Sequence, residues 1–463
     1  MTTLKRIDPI SVPAVENSLA IFDILPTSVA FNRTHVRELL PLMTVTREGP
    51  YTFRLFSDSQ FVDFSHTWFY LVSSIEKYDE ANNRWIPIAN TADDRNTGVI
   101  QNYASSFIRQ LNILINGVEV FNSDITYAWR AYVANEYGQA YDFKKGLHEA
   151  GIYYPDDPQK GQESYENEGF KKRVGRFKGG IKSFGLTRLV FDLANQNNLF
   201  LNNSDVVFKI TRNNDNFLIL APDYMVAAEQ GAAPNRVANG TRYRIQVHDV
   251  RLYCKMVDVV QSLQNQLSKH LMNTPAKYPV RRIETRSLYI PEGQTNMTFN
   301  VFSSVIPRRV MVFLVDNNAY DGNPEKSPFN FTHGKLQNIW IEANNMIVPN
   351  NPYHFDFVNV SDMNFVRAFV DFYEGLDLTD QEREIQLTLE KYVNGWCGWV
   401  FPLTASYRDV GDSFELIKNG TTVIKARFSE AVEAPGLMLI AMGEFDGVLT
   451  INADRVLSVD GSI

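Results

Sequence analysis

Short apolar runs rich in β-branched and aromatic residues, broken by Gly, Pro, Asn and Asp, fill residues 282–348 and predict antiparallel strands. One strand carries Ile283, Leu288 and Ile290 into the turn Pro291-Glu292-Gly293. A second is expected over residues 298–302, and a third over 309–315, stopped by Asp316-Asn317-Asn318. Segments around Ile339-Trp340-Ile341 and Met346-Ile347-Val348 flank Asn344-Asn345 as the arms of a hairpin. Together these pieces read as half of an eight-stranded sandwich.

The same pieces occur earlier in the chain. Thr52-Phe53-Arg54-Leu55-Phe56 matches Thr298-Phe299-Asn300-Val301-Phe302, and each follows a glycine turn, at Gly49 and Gly293. Residues 111–120, centred on Asn116-Gly117, have the shape of the Asn344-Asn345 hairpin, and Asn-Gly is a strong hairpin signal. Beyond each hairpin, residues 123–133 match residues 361–370, with one residue fewer in the second copy. Ser123-Asp124 opens a predicted helix with Tyr127, Ala131 and Ala134 on one face, ended by Gly138. Its counterpart carries Phe365, Val366, Phe369, Val370 and Tyr373 at helical spacing and stops at Gly375. Three matches in one order imply a fold written twice.

The remainder divides around that repeat. Residues 1–48 read as an irregular arm punctuated by Pro9, Pro13, Pro26 and Pro41, with a short helical turn near residues 35–40, and the arm packs locally or reaches to a neighbour. The first sandwich is expected over residues 49–257; its last strand slips phase near Asp249, as a β-bulge does. Val257, Val260, Leu263, Leu267 and Leu271 predict an amphipathic helix within a linker at 258–281. The second sandwich fills 282–463, with Asn419-Gly420 as a further hairpin turn and closing strands at 423–428, 437–442 and 448–451. Residues 223–239 read as a loop at one end of the first sandwich.

Composition narrows the function. An apolar share of 44% suffices for buried cores, and the 13% aromatic share favours sandwiches over helical bundles. A net charge of −8 argues against a dedicated nucleic-acid binder, though not against a protein that encloses nucleic acid at a distance. Cys254 and Cys397 make no disulfide framework and read as buried apolar residues. The N-terminal residues lack a signal-peptide core and no apolar run approaches the roughly 18 residues of a membrane span, so secretion through a signal peptide is not expected.

The chain carries few motifs of catalysis or ligand binding. Neither a P-loop nor a dinucleotide fingerprint occurs, and Gly395-Trp396-Cys397-Gly398-Trp399 reads as packing at a tight turn. His35, His66, His148, His248, His270, His333 and His354 include no pair at metal-ligand spacing, and His333 reads as a loop hydrogen-bonding residue. No catalytic, cofactor-binding or metal residue is assigned. The run Lys171-Lys172-Arg173-Val174-Gly175-Arg176-Phe177-Lys178 offers a phosphate contact, but reads better as an exposed loop balanced by Glu163, Glu166 and Glu168. A carboxylate pair assembled by the fold leaves no trace in spacing, so a glycan-binding or glycan-cleaving two-sandwich protein stays open.

The run Pro307-Arg308-Arg309-Val310-Met311-Val312-Phe313-Leu314-Val315-Asp316-Asn317, followed by Asp321-Gly322, Pro328-Phe329-Asn330-Phe331 and His333, resembles the major capsid proteins of Polinton (Maverick) elements and adintoviruses. The likeness continues through residues 353–357, Val366-Arg367-Ala368-Phe369, 414–420, 427–431 and Glu444-Phe445-Asp446, and more loosely through Asn116-Gly117 and residues 127–132. The resemblance implies an all-β double jelly roll and a non-enzymatic virion protein without cofactors. Three copies would form a pseudo-hexagonal, hexon-like capsomer of an icosahedral capsid around double-stranded DNA. Trimer interfaces on the order of 2,000 Å² are implied, as are neighbouring capsomers, a single-jelly-roll penton protein and cement proteins as partners. Short loops between strands imply that the capsomer lacks tall towers.

Overall fold

The computed structural model describes residues 10, 17–19, 21–22, 24–89, 96–222, 224–226, 235–237, 242–344, 346–357, 364–379, 384–404 and 416–460. Its main strands fall into two sets. The first holds β1 (Phe31–Leu39), β2 (Tyr51–Phe56), β3 (Phe61–Asp79), β4 (Ile108–Ile115), β5 (Val118–Asn122), β6 (Ser183–Arg188), β7 (Asp205–Arg212) and β8 (Tyr243–Val259). The second holds β9 (Ala276–Ile290), β10 (Asn296–Phe302), β11 (Arg309–Asp316), β12 (Leu336–Ala343), β13 (Met346–Val348), β14 (Trp399–Pro402), β15 (Thr422–Phe428) and β16 (Leu437–Ile451).

Both sets pair in one order. In the first, one sheet runs β1-β8-β3 with β6 on β3, and its mate runs β2-β7-β4-β5. In the second, the sheets run β9-β16-β11-β14 and β10-β15-β12-β13. Every strand of the second set therefore takes the place of the strand eight positions earlier, with all these pairings antiparallel. This is the jelly-roll order, repeated.

Burial follows the alternation that the sequence carries. In β2, Tyr51, Phe53 and Leu55 are buried while Arg54 and Phe56 are exposed; β7 buries Val206, Phe208 and Ile210 between more open residues. By contrast, β11 buries everything from Val310 to Val315, because it has packed layers on both faces. One contiguous core runs through both rolls.

Several expectations hold. Asn116 and Gly117 both take positive φ, the requirement of a tight two-residue hairpin, and β8 shifts register between Val247 and Asp249. Helix α1 (Tyr127–Glu136) lies where it was expected, and α3 (Gln261–Asn273) joins the rolls, ending ahead of Pro275. Helix α4 (Val366–Gly375) matches α1, although it buries Ala368 and Phe372 and leaves Val366 and Val370 exposed.

Others are corrected. Residues 35–40 form no helical turn: the chain is already the strand β1, paired along β8 from Phe31 to Leu39, ahead of the expected start at residue 49. Likewise β9 begins at Ala276, inside the expected linker. Residues 437–451 are one strand, since Pro435 and the turn at Gly436 precede it and nothing breaks it. Asn419-Gly420 joins no adjacent strands; it leads into β15, with Gly420 N–H donating to the Ser304 carbonyl. The basic run is not a loop either, because Asn167 caps helix α2 (Glu168–Gly175) by accepting from Gly169 N–H. Within 223–239 the described backbone pairs Tyr224–Val226 with Asn235–Val237. Asn345 and residues 361–363 and 414–415, used in the sequence reading, lie outside the described residues.

Candidate assembly surfaces and the seam between the rolls

Helix α1 lies at the seam where the rolls meet, and its outward aromatic side chains stack on rings of the second roll. Trp129 stacks on Tyr320 at 4.6 Å and 15°, and Tyr132 on Phe329 at 4.1 Å and 5°. Just past the helix, Tyr137 stacks on Phe313 at 5.6 Å and donates its hydroxyl to the Trp396 carbonyl at 3.1 Å. Each such pair contributes about 0.5–1.5 kcal/mol beyond the area it buries. Backbones also approach closely: Gly322 has φ +100°, and a Cβ there would stand 2.6 Å from Phe217 N.

Charges are buried in the same seam. Glu136, at the end of α1, receives Lys391 Nζ from the second roll at 2.6 Å, lies 3.7 Å from Lys144 Nζ, and accepts from the Tyr153 hydroxyl. Lys144 Nζ also donates to the carbonyls of Glu136 and Ile385 at 2.7 and 2.8 Å. Burial alone would push the Glu136 carboxyl up, but Lys144 and Lys391 outweigh it and hold the group down at about 2. Arg130 pairs with Asp192 and donates to the Ile283 carbonyl on β9. Gln162 bridges to the second roll through the carbonyls of Phe329 and Gly395 and the Ser327 hydroxyl. No spacing in the sequence links Glu136 to Lys391, so this network was not foreseen.

The basic run is largely spent on the fold. Arg173 is fully buried, with Nη1 2.9 Å from Asp156 and Nε donating to the Val99 carbonyl. Lys171 pairs with Glu168, Lys172 lies over the Tyr154 ring, and Arg176 donates to the Phe184 carbonyl. Cys254 and Cys397 are buried free thiols, the first pushed up to about 12 by burial. Gly398 packs edge-on in the aromatic layer, where a Cβ would come within 2.5 Å of the Phe313 ring. His333 accepts from Lys335 N–H and stacks on Phe357 at 4.4 Å; burial lowers it to about 4, and lowers His148 similarly.

Grooves are shallow in chemistry. One of about 350 Å³ includes Glu163, Asp316 and Glu433, but Asp316 is held by Lys326 and Glu433 by Lys335. One of about 500 Å³ lies between β5 and residues 282–286 of β9, where Asp192 is held by Arg130 and Glu284 by Arg282. Glu119, which accepts from Asn112 and Asn122, and Asp124 also line the second groove. Among the described residues no group of three or more His, Cys, Asp or Glu could hold a metal, and no helix is long and apolar enough to cross a membrane.

The strong surface feature is apolar exposure. Ile21, Phe22, Ile24, Leu25 and Val29 stand open ahead of β1, and Val36, Met346, Ile347, Val366 and Val370 are open on the rolls themselves. Isolated exposed apolar residues are ordinary, whereas groups of them mark contact surfaces.

No family model matches the chain. An uncharacterized protein of Caenorhabditis elegans is 26% identical over 424 residues, covering 90% of this chain and 94% of that protein. Among solved structures, a chain of the Sputnik virophage aligns over 98% of this chain and 94% of its own length, with 14% identity and a TM-score of 0.60. The mavirus major capsid protein aligns over 99% and 96%, with 12% identity and a TM-score of 0.52. The Faustovirus major capsid protein aligns over 96% and 93%, with 9% identity and a TM-score of 0.55. What is shared at these identities is the fold, and this chain is a double jelly roll of the same architecture as those viral proteins.

Proposed function

We propose that this chain is a viral major capsid protein, a non-enzymatic building block of an icosahedral shell around double-stranded DNA. The observation that carries the reading is the duplication: two rolls of identical strand order are locked into one body by a buried seam. Two like modules per chain let three chains present six similar walls, so a homotrimer packs as a nearly hexagonal tile. The likeness of fold to the mavirus and Faustovirus capsid proteins supports the same reading, and the sequence resemblance points to the Polinton and adintovirus group. Neighbouring tiles, a penton protein and cement proteins are the partners this role calls for, with the virion as its location.

The test is the mass and outline of the purified protein by light scattering and negative-stain microscopy. A trimer with a pseudo-hexagonal outline is expected. A stable monomer that never assembles overturns the reading.

A further inference from the structure

The end of strand β6 borders a cavity of about 540 Å³, a size that suits a small molecule. Its walls come from the start of β3, the end of α1, the short helix Tyr141–Lys145 with the turn after it, and β6 with the residues just beyond. Trp68, Phe143, Leu147 and Leu186 make part of the wall apolar, and Phe143 and Leu147 are 45% and 47% exposed. Among the described residues no Asp or Glu lines the cavity, and Arg188 is its one lysine or arginine. Every wall belongs to the first roll of one chain, so the site stands whatever the chain assembles into.

Arg188 is the last residue of β6, opposite Trp68 on β3, and it is half-buried. Among the described residues its one hydrogen bond runs from Nη2 to the Ala194 carbonyl at 2.5 Å, and it makes no ion pair. Asp63 is the acid whose charge it feels, but that carboxylate is already held by Lys255 Nζ at 3.0 Å and His66 Nδ1 at 2.9 Å. Burial accordingly pulls the Arg188 guanidinium below its ordinary value. His148, also in the wall, adds no charge at neutral pH because burial lowers it to about 4. The side-chain amides of Gln139, Asn195 and Asn197 line the cavity without a hydrogen-bond partner among the described residues.

The fold itself does not call for this cation. In the second roll the equivalent strand, β14, ends at Pro402, and Arg309 opposite it is paired with Glu444 at 2.7 Å. A half-buried guanidinium with donors to spare, in a cavity without acids, is suited to an anion. One positive charge matches a monoanion better than a phosphate dianion, and the apolar walls match a ligand with an apolar body. We propose that this cavity binds a carboxylate carried on an apolar chain or ring, with Arg188 and the neighbouring amides taking the carboxylate and Trp68, Phe143, Leu147 and Leu186 taking the body.

Calorimetric titration of the full chain with octanoate, octanol and acetate tests it. Octanoate should bind with a Kd below about 1 mM, and octanol and acetate roughly tenfold or more weakly. Arg188→Met should weaken octanoate by about ten- to hundredfold, as loss of charge-assisted hydrogen bonds does, and leave octanol unchanged; Arg188→Lys should fall between. Leu147→Glu, at a position already exposed, sets a like charge in the wall and should abolish octanoate binding with an unchanged melting midpoint, so the test does not hang on the Arg188 variants folding. No binding of octanoate, octanol or acetate as tight as octanoate, or a Met variant that binds octanoate as the wild type does, overturns the assignment. Light scattering on the same samples reads the assembly state. Octanoate bound only by chains released from an oligomer means that a second copy fills the cavity, and that also overturns it.

Discussion

Replacing Glu136 by Gln keeps the shape of the side chain and removes its charge. Lys391 Nζ, 2.6 Å away, and Lys144 Nζ, 3.7 Å away, would then lie in the seam with no carboxylate between them. Both lysines are buried, so water cannot restore the balance. Breaking a buried pair from one side costs about 3–5 kcal/mol. Unfolding entropy near 2.1 cal/mol/K per residue, taken over 463 residues, makes each kcal/mol worth about 1 °C if the rolls melt together. Calorimetry should therefore read a drop of about 3–5 °C. Adding Lys391→Met to the same chain removes one stranded cation and should recover about half of that loss, since Lys144 still has the Glu136 and Ile385 carbonyls as acceptors. A Gln variant that melts with the wild type, or a double variant that melts lower than the single, would refute the claim that charge balance holds this seam.

Gly322→Ala should destabilise by about 2–4 kcal/mol, read by chemical denaturation, because the new Cβ meets the Phe217 backbone and the residue keeps a positive φ. His148 and His333 are lowered to about 4 from an ordinary value near 6.5, so the unfolded chain binds protons that the folded chain refuses. Stability should therefore be lost as the pH falls from about 6.5 toward 4, on the order of 3 kcal/mol for each histidine at most, and Gln at both positions should flatten the thermal profile over that window. Asp156 and Glu163, raised mainly by burial, work in the opposite direction. Reversing Lys171 and Lys178 to Glu should leave the unfolding free energy by chemical denaturation within about 0.5 kcal/mol of wild type, whereas Arg173→Met strands the buried Asp156 and should cost about 3–5 kcal/mol.

What the sequence made legible was local. Strands such as β2, β10 and β11 carry dense apolar runs closed by turn residues, and the slip at Asp249 interrupts a visible alternation. Strand β1 escaped because Asn32, Arg33, Thr34, Arg37 and Glu38 leave it no apolar face; its place is set by the β8 backbone, not by burial. Helix α2 escaped because Gly169 and Gly175 and the basic residues between them resemble loop chemistry, while the reason for Arg173 is Asp156, 17 residues earlier and brought to it by packing, not by the pattern. The seam was illegible for the same reason on a larger scale: Glu136 and Lys391 meet only after both rolls have formed. On α4, helical periodicity identified an apolar surface, but it could not say which apolar positions face inward and which stay exposed.

The stacked rings and buried charges of the seam make the two rolls a stiff wedge, because neither parallel aromatic planes nor a three-membered ion cluster tolerates much rocking. In a shell built from such pieces, bending has nowhere to go inside a tile. In the shell proposed above, curvature would then be confined to the lines between tiles, and facets would stay flat up to their edges.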